Sequence, residues 1–336
     1  MLKRSVLYSL RDICTIPTRT TDIESRKECN IEIDGLEKSG ISRFPLIVAP
    51  MSCVLSESNW KEFRENKINV VIPRTVDFTT RIKLSEVVMC AFSLKEAKDI
   101  LLMPENNIRK WCICLDMANG HMKAQIGLGS QLRDRFKNRL VLMGGNIANP
   151  ETYSEYNYAG FDYVRVGIGG GNGCLTSTQT SINYPMASLL NDMVKVKKKL
   201  DPIIPAKCKI VADGGISCYS DIIKCFALGA DFVMMGRVFS QAALKGENVG
   251  DPLQYYGMST KYAQTLMGAS KDNLKTSEGK FLDLKKEYTL SGWVENFSDY
   301  LRSAMSYCDS RTLSEFTEKS ICHVVSQNSS VKINDK

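Results

Sequence analysis

The chain has 336 residues, of which 43% are hydrophobic and 24% charged, values typical of a soluble globular protein with one or two domains. No apolar run approaches the roughly 20 residues that span a bilayer, and Arg11 and Asp12 interrupt the apolar N-terminal stretch, which argues against a signal peptide. The formal net charge of +7 is mild, and the densest lysine cluster (195–202) has no interleaved aromatic residues, so we expect neither a membrane nor a nucleic acid as partner.

Eight short apolar runs, rich in Val, Ile, Met and Cys, recur along the chain without a clean alternation of apolar and polar residues. Such runs are typical of strands that are covered on both faces. The predicted strands are 44–51, 68–74, 86–92, 110–120, 139–146, 161–170, 208–215 and 230–237.

Helical patterns lie between most of these strands. One of them covers 220–230, where Ser220 is in position to cap the helix and Gly229 to end it. The lysines of 195–202 fall at the end of another predicted helix, where positive charge complements the helix dipole.

Alternating strands and helices predict an α/β protein, and eight strands is the number that closes a single (β/α)8 TIM barrel. A doubly wound open sheet is the alternative, although it more typically carries its glycines after the first strand. We expect residues 1–325 to form the barrel domain, with an N-terminal extension and a C-terminal helical segment. The polar residues 326–336 read as a flexible tail.

One strand end leads into the sequence "RVGIGGGNGCLTSTQT" at 165–180, with five glycines in residues 167–173 followed by Cys174. Glycines at this density indicate strained backbone or the close approach of a ligand. Oriented N–H groups and nearby hydroxyls activate a thiol, so Cys174 is a candidate nucleophile, although an inert buried cysteine stays possible. The other eleven cysteines form no C-x-x-C pair and read as reduced thiols of a cytoplasmic protein.

Only two histidines, His121 and His323, are present, which argues against a histidine-based zinc site and against a Ser-His-Asp triad. Two late strands instead end in "ADGG" (212–215) and "MMGR" (234–237). Glycines there expose N–H groups able to hold a phosphate, and the Asp213 carboxylate is placed to accept hydrogen bonds from a ribose diol. Simple tight turns are the alternative reading.

These motifs, taken together, resemble the IMP dehydrogenase/GMP reductase family over nearly the whole chain, from residue 23 to about residue 325. The stretches that carry the resemblance, in family order, are "IESRKECNIEI" (23–33), "CLDMANG" (114–120), "GGN" (144–146), "GIGGGNGCLT" (167–176), "VADGG" (211–215), "ADFVMMG" (230–236), "YYGMS" (255–259), "SEGK" (277–280) and "LRSAMSY" (301–307). The short interval between Gly257 and Glu278 and the lack of an inserted domain resemble the reductase branch of the family.

The resemblance implies an NADPH-dependent oxidoreductase that converts GMP to IMP and ammonia. Cys174 would attack carbon 2 of the purine to give a thioimidate, and Thr176 and Glu278 would form the proton relay. The substrate-binding residues implied are Asp213, Gly214, Gly215, Gly236, Arg237, Gly257, Met258, Ser259 and Gly279. The cofactor-binding residues implied are Arg74, Asp116, Met117, Ala118 and Asn119, with Ser25 and Arg26 reaching the cofactor of a neighbouring subunit. A homotetramer is therefore implied, and potassium bound by the carbonyls of Gly169, Gly171 and Cys174.

The chain departs from the family pattern at several of these places. The family's Gly-Pro-Gly-Ser is replaced by residues 170–173, its usual Thr by Leu175, an Arg by Ser177, and the reductase's Lys by Arg74. Arg237 replaces a small residue, and Ser52 and Cys53 replace an Asn/Asp-type pattern. Two alternatives follow: an enzyme for another purine nucleotide or an IMP dehydrogenase-like oxidation, and a non-catalytic nucleotide-binding subunit.

Overall fold

The computed structural model describes residues 6–33, 41–104, 109–171, 173–205, 207–326 and 328–330. Most of the predicted tail, residues 327 and 331–336, lies outside the described residues. The described chain forms strands β1 Ile13–Ile16, β2 Leu46–Val48, β3 Asn69–Ile72, β4 Met89–Phe92, β5 Trp111–Leu115, β6 Leu140–Ile147, β7 Tyr163–Val166, β8 Lys209–Asp213, β9 Phe232–Met235, β10 Ala242–Ala243, β11 Pro252–Tyr256, β12 Phe281–Lys285, β13 Tyr288–Thr289 and β14 Ile321–Val324.

Helices lie between most of the successive strands of the described chain. The α-helices are α1 Trp60–Glu65, α2 Phe78–Leu84, α3 Leu94–Leu102, α4 Lys123–Phe136, α5 Thr152–Tyr158, α6 Thr176–Thr180, α7 Met186–Leu200, α8 Tyr219–Ala227, α9 Arg237–Ser240, α10 Lys261–Leu266, α11 Leu290–Tyr307 and α12 Leu313–Lys319. Short 3-10 helices occupy Leu10–Asp12, Arg26–Glu28, Lys137–Arg139 and Lys271–Asn273.

Strands β2 to β9 form a closed parallel barrel in sequence order, which confirms the predicted (β/α)8 fold. The barrel closes where β2 pairs with β9, with Ile47 opposite Met234. Seven of the eight predicted strands contain a whole barrel strand, and β6 extends one residue past the predicted 139–146, to Ile147. Most barrel-strand residues are buried, since the barrel interior and the surrounding helices cover both faces.

The predicted start of the helix at 220–230 is wrong. Helix α8 begins at Tyr219 after the N-cap residue Cys218, and Ser220 lies inside its first turn. The Asp221 carboxylate accepts hydrogen bonds from the Ser217 N–H and hydroxyl, so the polar contacts of this terminus form earlier in the chain. The predicted end is confirmed, because Gly229 follows the C-cap residue with φ +96°, a conformation that favours glycine.

Further two-stranded sheets lie outside the barrel. Strand β1 pairs antiparallel with β14, and Lys224 of α8 donates to the Leu10 carbonyl at 2.9 Å beside this pair. Strands β11 and β12 form an antiparallel pair, and the chain between them carries α10. Within the described residues, no helix combines the length and the apolar character needed to cross a membrane.

Candidate active site

A cavity of about 800 Å³ opens beside the carboxyl ends of the barrel strands, within the roughly 300–1,000 Å³ usual for ligand sites. It brings together residues from nearly every predicted motif. The sequence-predicted residues in its wall are Arg74, Asp116, Met117, Ala118, Gly171, Cys174, Thr176, Asp213, Gly214, Gly215, Gly236, Arg237, Gly257, Met258, Ser259 and Glu278.

Cys174, Thr176 and Glu278 form a continuous chain of polar groups in this wall. The Cys174 Sγ lies 3.3 Å from Thr176 Oγ1, in the geometry of a donor to that oxygen. The Thr176 hydroxyl in turn donates to Glu278 Oε2 at 2.5 Å. The carboxylate thus meets a hydroxyl that lies 102 positions earlier in the sequence, and the hydroxyl also contacts the thiol. This arrangement is able to move a proton between the sulfur and the carboxylate.

Main-chain hydrogen bonds hold these groups together. The Leu175 N–H donates to the Glu278 carbonyl at 2.6 Å, and the Lys280 N–H donates to the Gly173 carbonyl at 3.1 Å. Cys174 and Gly279 consequently face each other as an isolated antiparallel bridge. Gly279 does not appear in the cavity wall, so the structure places it beside the cysteine as a backbone partner.

Two glycines allow the backbone to approach closely here. A Cβ on Gly257 would lie 2.5 Å from the Gly173 carbonyl oxygen. A Cβ on Gly167, whose φ is +132°, would lie 2.2 Å from the Asp213 carbonyl oxygen. Side chains at either position would push apart the loops that end β7, β8 and β11, so these glycines are required by packing.

Arg165 occupies the base of the site, and sequence reasoning did not single it out. Its guanidinium is 8% exposed and donates to Asp116 Oδ1 at 2.6 Å and to Asp213 Oδ2 at 2.9 Å. Burial disfavours the charged form, but the two carboxylates outweigh that effect and raise the pKa of Arg165. Asn146 adds a 2.7 Å hydrogen bond to the same Asp213 oxygen. A signal for Arg165 was present in the sequence, namely an arginine within an otherwise apolar strand.

The Asp213 carboxylate keeps one oxygen available. Asn146 and Arg165 both donate to Oδ2, and no hydrogen bond within the described residues reaches Oδ1. The predicted role of Asp213, accepting from a diol, is compatible with this geometry.

Several backbone segments near Asp213 form what we call the glycine cradle, consisting of Gly214, Gly215, Gly236 and residues 257–259. Gly214 and Gly215 have φ of +104° and +76°, so their N–H groups are oriented by a conformation that favours glycine. Arg237 lies beside the cradle, and its guanidinium has no hydrogen bond or ion pair among the residues that the structure describes. A cation next to oriented N–H groups suits a phosphate.

Tyr255 is a further residue of this wall that the sequence did not reveal. Its hydroxyl donates only weakly, to Met51 Sδ at 3.5 Å. Burial, together with the nearby Cys53 and Asp213, raises the pKa of Tyr255, so the phenol stays protonated and keeps a proton to donate.

Arg74 follows β3 in the cavity wall. It donates to the Asp116 carbonyl at 3.3 Å and approaches Met267 Sδ at 3.1 Å, so it joins two parts of the wall. Asn119 is exposed and outside the wall, where its side chain accepts from the His121 N–H at 3.1 Å.

Ser25 and Arg26 also lie away from the Cys174 cavity. Ser25 caps the 3-10 helix Arg26–Glu28, and Arg26 pairs with Asp299 at 2.9 Å beside a surface depression of about 460 Å³. The expectation that they contact a neighbouring subunit's cofactor stays a prediction.

The expected potassium ligands are only partly free. The Gly169 carbonyl accepts from the Ser177 hydroxyl at 2.9 Å, and the Gly171 carbonyl accepts from the Cys174 N–H at 2.9 Å. Ser177, at the position of the family's arginine, thus closes the loop onto itself. Asn172 lies outside the described residues. Elsewhere in the described chain, no group of three or more His, Cys, Asp or Glu side chains is arranged to hold a metal ion.

The geometry defines a (β/α)8-barrel protein whose cysteine, hydroxyl and carboxylate face a cavity that the glycine cradle also lines. The sequence profile of the IMP dehydrogenase / GMP reductase domain matches residues 94–333, and the chain belongs to this family. The protein is accordingly an oxidoreductase of the IMP dehydrogenase/GMP reductase kind.

Among curated proteins, the chain is similar to several bacterial GMP reductases. It is 26% identical over 342 residues to the GMP reductase of Vibrio campbellii and 27% identical over 342 residues to that of Vibrio vulnificus strain YJ016. It is 26% identical over 341 residues to the GMP reductase of Aliivibrio fischeri strain ES114. Each match covers 95% of this chain and 94% of the relative.

Proposed function

We propose that the protein is a GMP reductase, which converts GMP to IMP and ammonia at the expense of NADPH. The observation that carries the proposal is the Cys174–Thr176–Glu278 chain, at 3.3 and 2.5 Å, in the same cavity as the glycine cradle. Similarity to GMP reductases over 95% of the chain supports this reading.

The nucleotide's phosphate is assigned to the glycine cradle, with Arg237 and the Tyr255 hydroxyl as further donors. The ribose diol is assigned to Asp213 Oδ1, because Arg165 and Asn146 fix the carboxylate through its other oxygen. These two anchors place the purine over Cys174, and Met258 and Glu278 line the wall beside it.

Cys174 Sγ adds to carbon 2 of the purine while the thiol proton passes through the Thr176 hydroxyl to Glu278, and the bond from carbon 2 to the exocyclic amino group then breaks. That amine leaves as ammonia only after it gains a proton, which the Glu278 carboxyl supplies through the Thr176 hydroxyl. The product of this half-reaction is a thioimidate, in which sulfur has replaced nitrogen on carbon 2. Release of IMP breaks the carbon–sulfur bond and returns Cys174 to the resting state.

NADPH, when bound, supplies the hydride that carbon 2 needs. The half of the cavity that includes Arg74 and residues 116–118 fits such a group, since Met117, Ala118 and Met267 offer an apolar surface for a flat ring beside the Arg74 cation. The resemblance implies potassium at the Cys174 loop, but hydrogen bonds already reach two of the three expected carbonyl ligands, those of Gly169 and Gly171. We also propose that the protein is a homotetramer and acts in the cytoplasm.

The experiment mixes purified protein with GMP and NADPH and follows the loss of NADPH absorbance and the formation of IMP. We expect turnover that Cys174→Ala lowers by at least about a thousandfold. Mass spectrometry adds a second readout, a GMP-dependent adduct on Cys174. GMP that binds tightly without an adduct or turnover would instead support a nucleotide-binding subunit.

A second candidate, oxidation of IMP or action on another purine nucleotide, is favoured by one observation. Arg74 stands where the reductases carry lysine, and its guanidinium is engaged by Asp116 and Met267. Arginine keeps its proton, whereas lysine can release one. Turnover of IMP with NAD⁺, without turnover of GMP, would select this alternative.

A further inference from the structure

One wall of the active-site cavity comes from the chain between α10 and β12. Its cavity-lining residues are Met267, Gly268, Ala269, Asn273, Lys275 and Thr276. Glu278 follows directly on this stretch, so the placement of the stretch decides where the carboxylate lies.

Gln264 of α10 makes three side-chain hydrogen bonds at the junction of this wall with the glycine cradle. Its Nε2 donates to the Ser259 carbonyl at 3.0 Å and to the Lys275 carbonyl at 3.1 Å. Its Oε1 accepts from the Lys275 N–H at 2.8 Å. The carboxamide therefore pairs with both polar groups of one residue while it also holds a residue of the cradle.

Among the described residues, only Gln264 joins residues 271–277 to another part of the chain by hydrogen bonds. In the part of the chain that the structure describes, their remaining hydrogen bonds stay within 270–279, namely Asn273 to Ser270 and Ser277 to Gly279. Lys275 is exposed, and so is its neighbour Thr276. This stretch therefore buries little surface, and burial cannot substitute for the Gln264 carboxamide in fixing its position.

We propose that Gln264 is a positioning residue, whose amide sets the segment carrying Glu278 against the glycine cradle. Ser259 lies in the cradle, and Lys275 precedes Glu278 by three residues, so one side chain spans both parts of the site. The proposal rests on the proposed function, because Glu278 acts there as the proton relay. A carboxamide is required chemically, since two carbonyls and one N–H face it, and only an amide offers donors and an acceptor on one planar group.

The first measurement needs no substrate. Residue-resolved hydrogen–deuterium exchange compares the wild-type protein with Gln264→Leu, which removes all three bonds, and with Gln264→Glu, which removes the two donors. We expect faster exchange at Leu175 and Lys280, because their N–H groups form the two hydrogen bonds between the Cys174 loop and the segment that carries Glu278. Gln254→Leu is the matched control, since Gln254 is exposed on β11 and its side chain makes no hydrogen bond among the described residues.

The second measurement separates binding from chemistry. Thr260 independently holds the cradle, because its hydroxyl donates to the Gly257 carbonyl at 2.8 Å. We therefore expect both Gln264 variants to keep the GMP dissociation constant within about threefold while kcat falls roughly tenfold to a hundredfold. The control variant should match the wild type in both quantities.

Faster exchange confined to residues 270–276, or a kcat within about twofold of wild type, would overturn the proposal. If Gln264→Leu fails to fold, Gln264→Glu alone decides, since it is the smaller change. A wild-type protein that turns over no GMP would refute the proposed function, yet exchange at Leu175 and Lys280 would still decide whether Gln264 positions the Glu278 segment.

Discussion

Thr176 links the Cys174 sulfur to the Glu278 carboxylate, because its single hydroxyl is hydrogen-bonded to both groups. Replacing it with valine keeps the shape and removes the hydroxyl. We expect Thr176→Val to lower kcat by roughly 10²- to 10⁴-fold, the usual contribution of a positioned proton-transfer group. Steady-state kinetics with GMP and NADPH measure the change.

Thr176→Ser is the matched variant, since serine retains the hydroxyl and loses only a methyl group. It should keep most of the wild-type kcat. Equal losses in the valine and serine variants would mean that the methyl packing, and not the hydroxyl, matters at this position.

Whereas Thr176 is expected to affect kcat, Arg165 is expected to affect the free energy of unfolding. Arg165→Met would leave the buried Asp116 and Asp213 carboxylates without their shared cation. Removing one partner of a buried ion pair costs about 3–5 kcal/mol, so we expect the free energy of unfolding to fall by that amount. Urea denaturation followed by circular dichroism measures it.

Lys245→Met supplies the comparison, because Lys245 pairs with Glu65 on the surface, where the two side chains are 78% and 59% exposed. Water screens an exposed pair, so we expect Lys245→Met to lower the free energy of unfolding far less than Arg165→Met does. If the two variants lost equal stability, Arg165 would not act as a buried clamp.

The sequence was informative about residues that stand out chemically. Cys174 follows a glycine run, and Asp213 precedes a glycine pair, so their meeting in one cavity was foreseeable from the strand ends. Arg165 and Gln264 were not foreseen, because the role of each depends on partners that only the folded chain brings into contact. No local pattern marks a glutamine whose amide will meet a peptide group eleven residues later.

Among the elements, the loops after β5 and β6 are joined by His121. The Ala148 N–H donates to His121 Nε2 at 3.0 Å, so that nitrogen is unprotonated and Nδ1–H donates to Thr152 Oγ1 at 3.0 Å. Burial lowers the pKa of His121 below its usual value of 6.5. Protonation would therefore break the bond that holds the two loops together.

This arrangement predicts a pH dependence of stability. The unfolded chain binds the proton at a higher pH than the folded chain does, so the folded state loses stability as the pH falls below about 6.5. His121→Gln removes the titrating group and should lose less free energy of unfolding than wild type between about pH 7 and about pH 5. His323→Gln, at an exposed position, should behave as wild type; an indistinguishable His121→Gln would contradict the prediction.

Packing of β11 against the Cys174 loop depends on Gly257. Gly257→Ala places a methyl group 2.5 Å from the Gly173 carbonyl oxygen, a backbone atom with no rotamer to relieve the contact. We expect a loss of about 1–3 kcal/mol in the free energy of unfolding and a raised KM for GMP. Gly127→Ala is the control of opposite sign, because nothing lies within 4 Å of its Cβ inside α4, and alanine there stabilises by about 0.5–1 kcal/mol.

The eight barrel strands were predictable from sequence because a strand buried on both faces is a continuous apolar run. Such a run is visible in the sequence without knowledge of the neighbouring strands. The start of α8 was not, since Ser220 has a capping side chain but Asp221 takes the capping contacts with Ser217 instead. The β11–β12 pair was also missed. Several residues of these strands are exposed, so no apolar run marks them.

At the scale of the whole molecule, the barrel supplies a rigid frame and the site is built on loops and one appended strand pair. The cavity takes residues from the ends of β2, β3, β5, β6, β7, β8 and β9, all at the same end of the barrel. Changes in the loops can therefore alter substrate choice while the frame persists.

The pairing of β1 with β14 has a consequence for protein engineering. Ile13 lies opposite Val324, so the first and last strands of the described chain run side by side. A short Gly/Ser linker between these strands, with new ends opened in the exposed stretch 245–250, gives a circular permutant. We expect it to unfold cooperatively and to keep the wild-type circular dichroism spectrum, whereas aggregation on expression would show that chain order matters for assembling this barrel.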